Sequence, residues 1–450
     1  MTQVSTSEGI INSPGLATGS PVPVLVLKVG RLVLHHGGVG IIRSLGRIGI
    51  PVYSVVEDHF TPAALSRYLT GAIVWEMHGM DSNRFLEGMA IIGEKLGHPT
   101  IVIPTDDMGA ILLAEHAETL RQWFAFPQVP ATLPRTLANK RELYRLCQEW
   151  KMPCPFSVFP SSPEEITDLI EHASYPIVIK AAESWSLPAG IHTTTVAWNV
   201  GEARAYCENA GKLRRPNLIF QEFIAPAYGE DWFYHGYRNG ASGRTLGFTG
   251  RKARSYPSYA GPTTLGHTER NDSLRRQTEA FLEKIGYSGI MDLDYRLDKR
   301  DGEYKLVDFN PRIGAQFRLF EDSAGVDLAQ ALYFDLAGVK VAGAIAEAKP
   351  RTFVAEFHDL VASVAHFRQG RLNFRQWVRS LRGAKERAWF SWDDLLPFLT
   401  VCVRLPFSAI RRLLGLRFRP IVSNLVPQIQ MGRGHKKTGN NYKYSAAHPN

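Results

Sequence analysis

Short apolar runs alternating with helical periodicity set the pattern of the first third of the chain. Pro23 to Val29 is a compact apolar run. It leads through Arg31 to Gly40, with His35-His36-Gly37-Gly38-Val39-Gly40, into a helical pattern from about Ile41 to Ile48. Gly49-Ile50-Pro51 ends that helix before the next run, Val52 to Val56. Strand, helix and strand in this order predict a parallel sheet. The glycine spacing is too loose for a dinucleotide fingerprint and is read as close approach of strand and helix. Ile101 to Pro104 is another such run, ending at Thr105-Asp106-Asp107. Acids at the carboxyl end of a strand serve a substrate or cap the helix that starts near Met108, and both readings stand.

The middle of the chain reads differently. Asn139-Lys140-Arg141-Glu142-Leu143-Tyr144 opens a helix, and Tyr175 to Lys180 is an apolar run closed by a lysine. A desolvated ammonium is costly unless paired, so Lys180 calls for an anion. Leu218 to Ile224 is a further strand, Trp232 to Tyr237 and Thr245 to Thr249 read as a hairpin, and Asn271 to Ile285 as an amphipathic helix. The basic, aromatic stretch Gly250 to Pro257 lies between these elements and by itself reads as a solvated basic loop.

Residues 289–316 carry the chemistry. Ile290 to Leu297 alternates, with Asp292 and Asp294 on one face and Met291, Leu293 and Tyr295 on the other. Lys299 to Gly302 is a charged turn ending in Asp-Gly, and Tyr304 to Phe309 is the return strand. Antiparallel pairing brings Asp294, Asp308 and Asn310 together. Clustered carboxylates repel unless a cation sits between them. Oxygen ligands on strands suit Mg²⁺, or Mn²⁺, with phosphate and water completing the shell. Arg312 would aim a guanidinium at the same phosphate. The competing reading is an exposed hairpin with solvated charges.

Length and charge narrow the partners. At 450 residues the chain can hold two or three domains. The net charge of +9 favours anions: nucleotides, acidic substrates or an anionic membrane surface. No finger, RNP or helix-turn-helix signature accompanies it, so nucleic acid is not expected. Four scattered cysteines, without a metal spacing, read as reduced thiols of a cytoplasmic protein. Met1 to Pro21 reads as disordered and not as a signal peptide. Leu395 to Leu416 is apolar but broken by prolines and arginines. Residues 389–419 are thus expected either to lie at the inner membrane surface or to pack as a helical lid.

Asp294-Tyr295 followed by Asp308-Phe309-Asn310-Pro311-Arg312 resembles the metal-binding hairpin of the ATP-grasp superfamily. Aspartate stands where glutamate is commoner at both metal positions. The resemblance implies an α/β protein with a Rossmann-like pre-ATP-grasp domain over 23–135. It further implies a two-lobed ATP-grasp α+β module over 136–345, with a helical extension over 346–430 and disordered ends at 1–22 and 431–450. It implies ATP and Mg²⁺ as cofactors, Lys140 and Lys180 on phosphate, and Glu222, Phe223 and Ile224 as the adenine hinge. Glu230 is implied as the ribose acid and Ser184 as a donor in the flap. Within Gly250 to Pro257 it implies, instead of a solvated loop, a group that binds phosphate or acyl substrate, with Arg251 as its catalytic candidate. The chain looks most similar to carbamoyl-phosphate-synthase-like and D-aspartate-ligase-like carboxylate–amine ligases, which join a carboxylate and an amine through an acylphosphate. The alternative is a nucleotide-binding or membrane-peripheral protein of envelope assembly that does not catalyse.

Overall fold

The computed structural model describes residues 21–30, 34–77, 80–97, 99–183, 194–210, 217–225, 229–257, 261–339, 350–413 and 427–431. Three sheets carry the architecture. The first contains β1 (Val24–Leu27), β2 (Val52–Val56), β3 (Gly71–Val74), β4 (Thr100–Pro104) and β5 (Phe124–Ala125). Helices α1 (His36–Arg47), α2 (Ser82–Leu96), α3 (Asp107–Glu115) and α4 (Ala117–Leu120) connect them. These strands pair in parallel in the order β3-β2-β1-β4-β5. Every residue of β1 to β4 is buried, because a parallel sheet is covered on both faces, and this makes the runs continuously apolar.

Helix α1 starts earlier than the periodicity predicts. His35 caps it, its Nδ1 accepting from the Gly38 N–H at 3.1 Å. The glycines therefore lie inside the helix; Gly38 faces Val26 of β1, while Gly37 and Gly40 face the loop around Ala315 and Phe317. A Cβ on Gly37 would stand 3.1 Å from the Ala315 Cα, and one on Gly40 3.0 Å from the Phe317 ring.

A small antiparallel sheet follows, ordered β6-β9-β7-β8. It comprises β6 (Ser157–Val158), β7 (Ile177–Ala181), β8 (Thr194–Ala197) and β9 (Leu218–Glu222), with α5 (Leu133–Ala138), α6 (Lys140–Glu149), α7 (Pro163–His172) and α8 (Val200–Ala210). The central sheet has β10 (Gly229–Arg238), β11 (Thr245–Ser255), β12 (Thr263–Thr268), β13 (Gly289–Asp298) and β14 (Glu303–Asn310), followed by β15 (Thr352–Val354) and β16 (Ala384–Arg387). Its order is β14-β13-β10-β11-β12-β15-β16. Helices α9 (Asp272–Lys284), α10 (Leu328–Leu336), α11 (Glu356–Arg368), α12 (Phe374–Leu381) and α13 (Leu396–Leu413) pack around it, and β17 (Gln428–Met431) returns antiparallel to β3.

Alternation on β13 and β10 gives the central sheet two unlike faces. Trp232, Tyr234, Met291, Leu293 and Tyr295 form a core with Leu143 of α6 and Phe281 of α9. Elsewhere in this region Phe233, Ile313 and Phe317 join the same apolar cluster as Val26, Ile41 and Ile103 of the first sheet. That shared core holds the first sheet against the hairpin exit.

The stretch expected to be a helical extension has three helices but also adds β15 and β16 to the central sheet. It folds back on α1. The buried Arg43 donates Nε to Asp394 Oδ2 at 2.9 Å and Nη2 to the carbonyls of Trp389 and Asp394 at 2.8 Å. Removing one partner of such a buried pair costs about 3–5 kcal/mol.

Candidate active site

Strands β13 and β14 pair so that Asp294 stands directly opposite Asp308 and Asp292 opposite Asn310. Opposed carboxylates repel across a sheet unless a cation neutralises them. Here lysines do so. Lys140 Nζ lies 2.9 Å from Asp308 Oδ1, and Lys252 Nζ 2.7 Å from Asp294 Oδ2. A bulge between Asp294 and Tyr295 breaks the ladder at this point, as bulges often do beside functional sites.

Each lysine is delivered by a different element. Asn139 caps α6, its Oδ1 accepting from the Arg141 and Glu142 N–H groups, so Lys140 is the first helical residue. The Lys140 N–H also donates to the Ala182 carbonyl at 3.0 Å. Lys180 is the penultimate residue of β7 and is 5% exposed. It has no ion pair among the described residues; its Nζ reaches the Val307 carbonyl at 3.5 Å. Lys252 comes from β11.

These residues line an open cleft of about 750 Å³ between the small and central sheets. Glu222, Phe223, Ile224, Asp231 and Arg296 line it too. Burial strongly shifts the groups inside. Lys180 is pushed down to about 8, by burial first and by the neighbouring ammonium of Lys140. Burial would raise Asp308, but Lys140 and Lys180 outweigh it and hold its carboxyl below the usual range. Asp294 moves the other way, because burial and the nearby Asp292 and Asp308 outweigh Lys252. The other acids of the lining are matched elsewhere, Asp231 by Arg296 and Glu222 by Arg300 and Lys305. Around the two opposed carboxylates stand three ammonium groups, and that of Lys180 has no ion pair among the described residues.

The donor chemistry fits a hard divalent cation carried by phosphate. One oxygen of each opposed carboxylate meets a lysine; the other has no partner among the described residues. No group of three or more His, Cys, Asp or Glu poised for a metal occurs among the described residues. The protein therefore offers two carboxylate oxygens and leaves most of the shell to phosphate and water, the usual arrangement for Mg²⁺.

The remaining candidates fall around this cleft. Asn310 is buried beside it, and its Oδ1 accepts from Arg312 Nη2 at 2.8 Å while its Nδ2 donates to the Asp292 carbonyl at 3.1 Å. Arg312 Nη1 donates to Asp292 Oδ2 at 3.1 Å, and its Nε faces Asp107 Oδ1 at 3.3 Å. Asp106, next to it, is the cap of α3 and also accepts from the Val29 and Gly30 N–H groups. The hinge residues Phe223 and Ile224 line the cleft, but the Glu222 carboxylate is turned to the Phe156 N–H, Arg300 and Lys305. Glu230 and Arg251 are not among the lining residues. They pair with each other at 3.4 Å, and Glu230 also meets Lys299 at 2.7 Å. Their sequence neighbours Asp231 and Lys252 point into the cleft instead. Ser184 and the flap from 184 onward lie outside the described residues.

Asp231, Lys252 and Asp292 extend the set beyond the candidates named from sequence, and Asp107, one of the two acids read there as substrate contact or helix cap, joins it through Arg312. The alternation that marks Asp294 also marks Asp292. The signal for the others was strand parity, which places Asp231 and Lys252 on the face opposite Glu230 and Arg251. Asp292 is buried against His235, whose Nε2 is 3.1 Å from its Oδ1; His235 and Arg312 hold its carboxyl well below the usual range against the effect of burial.

Residues 258–338 match the family described as carbamoyl-phosphate synthase L chain, ATP binding domain. A D-aspartate ligase of Enterococcus faecium (strain Aus0004) is 26% identical over 247 residues, 51% of this chain. The match spans 57% of that curated relative's length. The solved N5-carboxyaminoimidazole synthetase of Staphylococcus aureus, complexed with ADP, superimposes with a TM-score of 0.59 at 11% identity. It covers 78% of this chain and 87% of its own. An L-amino acid ligase from Bacillus licheniformis gives 0.56 at 15% identity, over 74% and 79%. At these identities the structural likenesses establish the fold.

Proposed function

We infer that this chain, ATP-grasp in architecture, is an ATP-dependent carboxylate–amine ligase. One observation carries the reading: three lysines and two opposed acids share a cleft bordered by an apolar hinge. The buried Lys180 ammonium, without an ion pair among the described residues, suits a polyphosphate tail. Phosphoryl transfer needs positioning and charge neutralisation more than covalent help from the protein.

In this reading Phe223 and Ile224 hold the purine, while Lys140, Lys180 and Lys252 hold phosphate oxygens. Asp294 and Asp308 would hold Mg²⁺, with the Asn310 amide close behind. The ion would supply neutralisation of the charge on the β- and γ-oxygens. Lys140 and Lys252 exchange a carboxylate for phosphate when nucleotide enters. Arg312 is placed to receive the substrate carboxylate by giving up Asp107 or Asp292. A carboxylate oxygen then attacks the γ-phosphorus, the bond to ADP breaks, and an acylphosphate forms. The amine nitrogen attacks the acyl carbon, phosphate leaves, and the nitrogen loses a proton. Gln316 is buried near the exit of the hairpin and cannot take that proton, so the base is phosphate or solvent. Arg251 and Glu230, on the other face of the sheet and paired with each other, have no part in this reading.

The D-aspartate and L-amino acid ligase relatives support an amino acid as one substrate. The test is a matrix of amino acids offered singly and in pairs with Mg²⁺ and ATP. Phosphate release that requires two substrates, with an amide product of matching mass, supports the reading. ATP binding without turnover across the matrix would favour a non-catalytic nucleotide-binding protein.

A further inference from the structure

Residues 365–420 hold twelve Arg and Lys against three acids, a surplus equal to the formal +9 of the whole chain. The three acids all turn toward the body: Glu386 pairs with Arg351, Asp393 with Arg47 and Asp394 with Arg43. The side chains of Arg375, Arg379, Arg382, Lys385 and Arg387 are exposed. What the described residues of this stretch show to solvent is therefore positive.

Helix α13 has two apolar sides. Val401 is fully buried and Leu405 packs on the same core, so the inner side is a lid on the body. On the outer side Leu396, Leu399, Val403 and Phe407 follow at helical spacing and are 54%, 50%, 70% and 60% exposed. Trp392, in the turn before the helix, is 83% exposed. Phe390 joins this row to the charge: its ring meets Trp392 at 4.8 Å and lies 5.2 Å from the Arg387 guanidinium. An outward apolar row of this length costs free energy in water and marks a contact surface.

We propose that the outer face of α13, with Trp392, docks on the surface of an anionic lipid bilayer. An amphipathic helix bordered by cations and preceded by an exposed tryptophan matches the boundary between acyl chains and acidic headgroups. A second copy of the chain would set the same positive surplus against itself, which opposes self-association. Pro406 and the arginines interrupt α13, and no helix among the described residues is long and apolar enough to cross a membrane. The helix therefore lies along the surface.

Flotation of the full chain with phosphatidylcholine vesicles, with and without about one-third phosphatidylglycerol, tests this. Binding is expected only to the anionic vesicles, falling at least about tenfold between roughly 0.1 and 0.5 M salt. The double variant Val403→Asp with Phe407→Ser should weaken binding at least about tenfold, since it removes apolar contact and adds a like charge to the lipid. Both side chains are exposed, so its thermal midpoint should match the parent. The proposal is overturned by no flotation of the parent or by equal flotation of the variant. A parent dimer in light scattering that the variant dissociates, without vesicle binding, overturns it too. None of these readouts depends on nucleotide turnover.

Discussion

Two ionic clusters flank strand β14, and their charge balance differs. In the cleft, Lys140, Lys180 and Lys252 face Asp294 and Asp308, and Lys180 is left with a single long contact to a carbonyl. Just past the strand end, Arg312 is held by Asp107, Asp292 and Asn310, and Asp292 also meets His235. The first cluster is open and leaves one ammonium, that of Lys180, without an acid. The second is closed, and its guanidinium is held by two acids. A buried ammonium without an ion pair is costly, and burial depresses Lys180 accordingly. An incoming polyphosphate would relieve it. Arg312, like Lys140 and Lys252, can take a new anion only by exchanging a partner.

The largest test of this contrast is Asp308→Asn. It removes one of the two opposed carboxylates but keeps the shape, and turnover should fall at least about a thousandfold. Near-normal circular dichroism would show that the fold survives, and a coupled ADP assay reads the loss. Lys180→Met comes next, with nucleotide affinity reduced about ten- to a hundredfold by calorimetry. The sign of its pH dependence follows from the depressed pKa. The free protein holds Lys180 protonated below about 8, and bound polyphosphate favours the charged form. Affinity is therefore full below that pH and declines as pH rises through it, with proton uptake on binding. Titrations in buffers of different ionisation enthalpy should show this uptake in the parent and not in Lys180→Met. For stability without ligand the sign is opposite. The unfolded chain binds the extra proton, so the penalty is present below about 8 and fades as pH rises toward the ordinary lysine value.

A smaller effect is expected from Asp107→Asn, which frees Arg312 from one partner. The KM for the carboxylate substrate should drop about threefold, with kcat little changed, as for a partly exposed ion pair. The smallest is Arg251→Met. Its pairs to Glu230 and Glu269 are well exposed, so turnover should change less than about threefold. Lys252→Met should cost far more. Equal losses in the two variants would restore Arg251 to the catalytic set.

The hairpin was legible because a two-residue period survives without knowledge of the fold. Asp292, Asp294, Asp308 and Asn310 share a face in any antiparallel register that keeps the strands in phase. Lys180 was legible as a charge ending a buried run. What local sequence does not contain is the parity of neighbouring strands against the cleft. Glu230 and Asp231, like Arg251 and Lys252, are adjacent residues on opposite faces, and only the pairing of β10 with β13 and β11 decides which of each pair points inward. The Arg312 cluster joins residues about two hundred positions apart through the docking of the first sheet, a contact no periodicity records. The helical pattern at α13 was read as either lid or membrane face. The structure shows a packed inner side and, among the described residues, an exposed apolar row on the outer one.

The central claim is that the opposed acids and the three lysines around them hold a metal-bearing polyphosphate. Titration of ATP into the parent and Asp308→Asn, each with and without Mg²⁺, tests it most directly. The account predicts that Mg²⁺ tightens binding to the parent at least about tenfold and leaves the variant nearly unchanged. An equal gain in both proteins, or no ATP binding by the parent, would contradict it.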